Sequence, residues 1–136
     1  MGKSSKPIER CPCGLGDSLS LCCGRYLDDG APAPTAEALM RSRYTAYTLG
    51  DERYLLATWH PDTRPAELDL VGDAGKVKWL GLEVLRCEAG GLGDVHGVVG
   101  FVARFKFSGR AERLAETSRF EKLDDGRWYY RDGDVA

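Results

Sequence analysis

Four of the five cysteines in this chain fall between positions 11 and 23. The run reads Cys11-Pro12-Cys13-Gly14-Leu15-Gly16-Asp17-Ser18-Leu19-Ser20-Leu21-Cys22-Cys23-Gly24. So short a segment holds too little apolar bulk for a core of its own and needs a covalent or metal staple. Disulfides are disfavoured in a reducing compartment, where clustered cysteines bind metal or do redox work. Redox pairs ordinarily read C-x-x-C, a spacing absent here, and a Cys22–Cys23 disulfide would be a strained vicinal one. Four inert buried thiols are the other competing reading. A tetrahedral zinc ion wants four soft ligands with Zn–S near ~2.3 Å. Gly14 and Gly16 allow the loop to fold back and bring the two cysteine pairs, Cys11/Cys13 and Cys22/Cys23, together. With all four positions filled by protein, a zinc held here is structural rather than catalytic. Lys6, Arg10 and Arg25 flank the cluster and offset the excess negative charge of four thiolates on one dication.

The whole chain has 136 residues, which suits one domain with a small appendage. Its 43% hydrophobic content, with 10% aromatics, supplies one real core. Nineteen Lys+Arg against 21 Asp+Glu give a net charge of −2. That balance excludes a generally basic nucleic-acid coat, although a local basic patch is still compatible with it. No run approaches the ~18 apolar residues of a membrane span. Met1-Gly2-Lys3-Ser4-Ser5-Lys6 carries charge with no apolar stretch behind it, unlike a secretory signal. The expected location is the cytoplasm.

The pattern divides the chain into a knuckle (1–27), a Pro/Gly-rich linker (28–34) and an α+β domain (35–136). Thr35 is a good N-cap, and Leu39, Met40, Arg43, Tyr44 and Tyr47 recur at helical spacing until Gly50. Asp51 begins a second short helix through Trp59, which His60-Pro61 breaks. A further helical turn is predicted at Pro65–Leu70 and a loop over Val71–Lys76. Beyond Lys78 the period becomes extended. Strands are predicted at Trp79–Glu88, Val98–Phe107, Leu114–Leu123 and Arg127–Arg131, with Asp125-Gly126 as the strongest hairpin signal. Helices first and consecutive strands after argue for an antiparallel sheet with helices on one face.

The third strand carries an anomaly. Leu114, Glu116, Ser118 and Phe120 share one face, because strand side chains alternate. If the apolar pair faces the core, Glu116 and Ser118 point inward too, and a buried carboxylate costs several kcal/mol unless paired. Arg41 or Arg43 on the first long helix is the expected partner. A structural buried pair, a solvated face and a polar cavity lining all fit this pattern. His60 reads either as an anchor at a helix end or as an acid/base paired with Glu116. His96 is expected in solvent, and Cys87 as a small buried hydrophobe. Trp59, Trp79 and Trp128 are core or pocket-wall residues. Arg41, Arg43, Arg119, Arg127 and Arg131, with Tyr44, Tyr47, Tyr129 and Tyr130, are types that recognise RNA, nucleotides or acidic peptides when they converge.

C-P-C-G-x-G followed by C-C-G resembles the SEC-C zinc motif, which maps its ligands onto Cys11, Cys13, Cys22 and Cys23. Leu15 stands where that motif usually has Ser. The following segments resemble the YchJ family: Pro34-Thr35-Ala36-Glu37-Ala38-Leu39-Met40-Arg41-Ser42-Arg43-Tyr44-Thr45-Ala46-Tyr47, Thr58-Trp59-His60-Pro61, Glu116-Thr117-Ser118-Arg119-Phe120 and Gly126-Arg127-Trp128-Tyr129-Tyr130. The resemblance implies a cone-shaped, nuclear transport factor 2-like domain of helices on a curved antiparallel sheet. Gly100 departs from it, standing where the family commonly has Glu. Two functions follow as expectations. One is a zinc-stabilised interaction module whose knuckle docks to a protein or ribosomal partner. The other is a small-molecule-binding or enzymatic cone, with Arg41, Arg43, Tyr44, Trp59, His60, Glu116 and Ser118 as cavity candidates.

Overall fold

The computed structural model describes residues 10–16, 18–68, 70 and 76–136. Lys6, Asp17, Asp69 and the expected loop at 71–75 lie outside them. The chain runs through a 3-10 turn (Leu19–Leu21), helices α1 (Gly24–Leu27), α2 (Ala36–Leu49) and α3 (Glu52–Ala57), and strands β1 (Val77–Ala89), β2 (His96–Phe107), β3 (Arg110–Lys122) and β4 (Trp128–Val135). The strands form one antiparallel sheet in sequence order.

Local chemistry sets the helix ends. Thr35 has extended backbone, and its side chain accepts a hydrogen bond from the Ala38 N–H at the start of α2. Gly50 ends that helix in the left-handed region (φ 72°). Asp51 then caps α3 by accepting from the Tyr54 N–H. Thr35→Ala is expected to cost about 1 kcal/mol, the usual value of a lost side-chain cap. Urea unfolding at 25 °C reads it directly.

Hairpins and bulges shape the sheet. Ser108 (φ 51°) and Gly109 (φ 84°) join β2 to β3 with positive φ at both turn positions, the arrangement that matches the twist of a two-residue hairpin. Register shifts at Trp79/Gly81 and Val84/Arg86 in β1, and at Arg119/Phe120 in β3, bend the sheet. Helix α2 lies across the inner face and packs on β1, β2 and β4. Leu39, Leu55, Val99, Phe120 and Trp128 are the buried centre.

The departures from expectation at the ends of α3 and β4 have physical causes. Helix α3 stops at Ala57, because the extended segment beyond it pairs with Tyr130: His60 N–H donates to Tyr130 O at 2.7 Å, and Tyr130 N–H to Thr58 O at 2.8 Å. Pro65 to Leu68 is not helical. Strand β4 runs past Arg131 to Val135, since Asp132 and Gly133 still pair with β3. Gly133 tolerates this because the Glu116 side chain occupies the space a Cβ would need.

Candidate metal centre and cone cavity

The four clustered cysteines are all buried, and their Sγ atoms lie within 4.8 Å of one another. Cys13 Sγ and Cys22 Sγ are 3.5 Å apart. A tetrahedral ion with Zn–S near 2.3 Å would hold sulfurs about 3.8 Å apart, so the donor set has the right size for such an ion. Gly14 (φ 89°) and Gly16 (φ 96°) take the left-handed backbone that folds the loop back. The thiols alone cannot all ionise. A hydrogen bond from the Cys23 thiol pulls Cys13 down to about 5. Burial, and then Cys13 itself, pushes Cys22 up to about 12, and the bond to Cys13 with burial pushes Cys23 up as well. Burial and the shared thiol contacts thus favour the thiolate on Cys13 and the protonated form on Cys22 and Cys23; ionising those two as well calls for a soft cation beside them. Such a donor set fits a zinc ion.

The knuckle is fastened to α2. Thr45 Oγ1 lies 3.6 Å from Cys11 Sγ. Arg41 Nη1 donates to Cys13 O at 2.8 Å, while its Nε donates to Glu37. Arg25 Nε donates to Cys22 O at 2.9 Å. Backing contacts of this kind fix the orientation of metal ligands.

A second feature lies between α2 and the inner face of the sheet. It is a cavity of about 270 Å³, partly open to solvent, walled by Tyr44, Tyr47, Trp59, Trp79, Phe101 and Phe120 among others. Its polar groups are Arg43, Glu116, Ser118 and Tyr130. The Arg43 guanidinium stacks over the rings of Trp59 (5.0 Å) and Tyr130 (4.7 Å). Its Nη1 donates to Leu55 O at 2.7 Å and Thr58 Oγ1 at 2.6 Å. Burial pulls this guanidinium down to about 10, so it stays charged at neutral pH. Glu116 Oε2 accepts from Ser118 Oγ at 2.7 Å and Tyr130 Oη at 3.2 Å. Burial, then the Glu116 charge, pushes the Tyr130 phenol upward and keeps it a donor.

A family model described as the YchJ middle NTF2-like domain matches residues 35–133. The chain belongs to the YchJ family. It is 67% identical over 127 residues to a UPF0225 protein of Chromobacterium violaceum, covering 93% of each chain. It is 51% identical over 128 residues to one of Streptomyces coelicolor, covering 94% of this chain and 97% of that one. A SEC-C motif containing protein from Rhodopseudomonas palustris, solved in solution, superposes with TM-score 0.80 at 36% identity over 93% of this chain and 98% of that one. A crystal structure of a sec-c motif containing protein from Psychrobacter arcticus gives 0.77 at 31% identity, covering 95% and 84%.

In this YchJ-family chain, Arg43, Tyr44, Trp59, Glu116 and Ser118 meet around one cavity. Arg41 does not. It lies two residues from Arg43, roughly 200° around the helix, and so faces the knuckle. His60 is likewise outside, which removes its pairing with Glu116. Trp59 forms a bridge with Tyr130 of β4 and lines the cavity, while the next side chain, His60, turns the other way toward Glu121. His60 Nδ1 accepts the Asp62 N–H at 3.0 Å, which leaves the ring proton on Nε2 to donate to Glu121 Oε1 at 3.0 Å. These bonds tie the ring to Asp62 and to β3. The carboxylate's hydrogen-bond partners are Ser118 and Tyr130 rather than an arginine. Gly100 lies on the opposite face from Phe101, against Arg86, so a Glu there would not enter the cavity. Cys87 is exposed, with its thiol 3.4 Å from Glu37 Oε1, and is no core residue. Arg119 pairs with Asp132 and Asp134 at the surface, away from Arg43. Tyr47, Trp79 and Tyr130 complete the cavity wall; Tyr47 follows Arg43 by four residues on α2, and Tyr130 follows Trp128 by two on β4. Among the described residues no helix is long and apolar enough to cross a membrane.

Proposed function

We propose that this chain is a small-molecule-binding protein: a ligand sits in the cone, and the four cysteines hold a structural zinc ion that braces α2 from outside. The observation that carries the reading is the charged Arg43, 6% exposed, in an aromatic cavity that also holds a carboxylate. Polar groups converging in a mostly apolar pocket are what ligand sites present. Zinc suits the site because four cysteines are a soft, closed donor set with no open position. Leu114 lies half-buried at the cavity wall, so Leu114→Trp is expected to plug the space while the zinc remains. Protein purified from its host is expected to carry a small molecule visible by mass spectrometry, absent from the variant. Wild-type and variant protein yielding the same small-molecule profile would sink this reading.

Docking of the knuckle to a protein or ribosomal partner is a second reading, favoured by Leu15 (55% exposed) and Leu21 (70%) on its surface. Leu15→Ser with Leu21→Ser leaves the thiols untouched. Loss of captured partners supports docking, and an identical partner set contradicts it.

A further inference from the structure

We propose, resting on the ligand-binding reading of the cone, that its ligand is a small aromatic monocarboxylic acid bearing a hydroxyl or amino donor on the side away from the carboxylate. Arg43 is the starting point. Among the described residues its hydrogen-bond acceptors are the neutral Leu55 O and Thr58 Oγ1, and no carboxylate oxygen comes within the 4.0 Å of an ion pair. A buried cation with neutral partners alone is costly, and a planar guanidinium matches a planar carboxylate. Trp59, whose ring it covers, lines the same cavity, and its Nε1–H is buried with no partner among the described residues. The ring of Trp59 and the Arg43 guanidinium thus form one end of the cavity, and that end carries positive charge.

The other polar group has the opposite demand. Glu116 lies beyond the Tyr130 hydroxyl and is an acceptor that repels a second anion. A ligand must place its negative end at Arg43 and a donor toward Glu116. The walls between them are aromatic: Tyr44 meets Trp79 edge-on at 5.6 Å, and Trp59 meets Tyr130 at 5.1 Å. Rings prefer such walls in offset or edge contacts. Engineered cavities of roughly 150 Å³ suffice for benzene, so about 270 Å³ takes one ring with substituents at both ends.

Three probes test this on the full chain as purified: 4-hydroxybenzoate, 4-hydroxybenzamide and benzoate, each titrated while the tryptophan indole N–H signals are followed by NMR. The acid is expected to bind about tenfold more tightly than its amide, since charge-assisted hydrogen bonds are roughly twice as strong as neutral ones, and more tightly than benzoate. It is expected to move the Trp59 signal. Arg43→Gln, which keeps donors for Leu55 and Thr58, is expected to erase the preference for acid over amide. Arg43→Lys keeps the charge and removes the planar fork; it is expected to weaken the acid several-fold, and it stands as the test if Arg43→Gln does not fold. Amide binding as tightly as acid, or unchanged acid affinity in Arg43→Lys, overturns the carboxylate assignment and leaves the cavity a ligand site. No response of the indole signals to any probe at about 5 mM, where even millimolar affinity registers, overturns both.

Discussion

Cys13→Ser is expected to abolish stoichiometric metal binding and to release residues 10–27 from helix α2. Cys13 is fully buried, and its Sγ is 3.5 Å from that of Cys22. A serine hydroxyl does not ionise at neutral pH and is a hard, weak donor in place of a thiolate. The segment is short, and apart from the four cysteines few of its side chains reach the core. On the proposed zinc reading its order depends on the metal, whose binding free energy in zinc-finger peptides is about 10–16 kcal/mol and becomes folding free energy. Losing one ligand removes enough of that to melt the segment. The Arg41–Cys13 O bond and the Thr45–Cys11 contact go with it, while α2 keeps its packing on the sheet. Expected readings are metal below one per chain, faster hydrogen exchange from Cys11 to Leu27, and a lower melting temperature. Metal retained at one per chain in this variant contradicts the ligand assignment.

Gly97→Val is expected to destabilise the cone by about 3 kcal/mol, at the upper end of overpacking costs. Two effects oppose each other here. Gly97 has ordinary strand backbone, and valine is favoured in strands by up to ~1 kcal/mol. Against that, a Cβ at this position falls 2.6 Å from Gly90 Cα and 2.9 Å from Ala36 Cβ. Neither neighbour is a flexible side chain that can rotate away. Ala36 N–H also donates to Gly90 O at 3.0 Å, so the contact joins the first turn of α2 to the β1–β2 hairpin. Sterics therefore win over propensity. Gly81→Ala is the control, because no atom lies within 4 Å of its Cβ; it is expected to be close to neutral. Urea unfolding of the two variants side by side checks the sign, and a Gly97→Val protein as stable as wild type contradicts this packing.

Short-range chemistry was legible in the sequence. Thr35 as a cap, Gly50 as a terminator, the hairpin at Asp125-Gly126 and the convergence of Cys11, Cys13, Cys22 and Cys23 each rest on neighbours within a few residues or on a strict ligand count. The inward face of Leu114, Glu116, Ser118 and Phe120 also followed from strand alternation alone. What was hidden depends on contacts far apart in the chain. Trp59 and His60 take opposite sides because their segment pairs with Tyr130, seventy residues away in the sequence and unreadable from local pattern. Arg41 and Arg43 both lie on α2, and only the docked knuckle reveals which faces the cavity. The partner of Glu116 is hidden for the same reason: Tyr130 reaches it across the β3–β4 pairing. Cys87 misleads because an edge-strand thiol and a core thiol look alike in sequence, and here β1 is an edge.

Elemental analysis of the purified full chain, paired with alkylation of its thiols under native conditions, tests the central claim most directly. The account predicts one zinc per chain, with Cys87 alone modified and Cys11, Cys13, Cys22 and Cys23 protected until a chelator is added. Folded, metal-free protein whose four clustered thiols react as readily as Cys87 would contradict it.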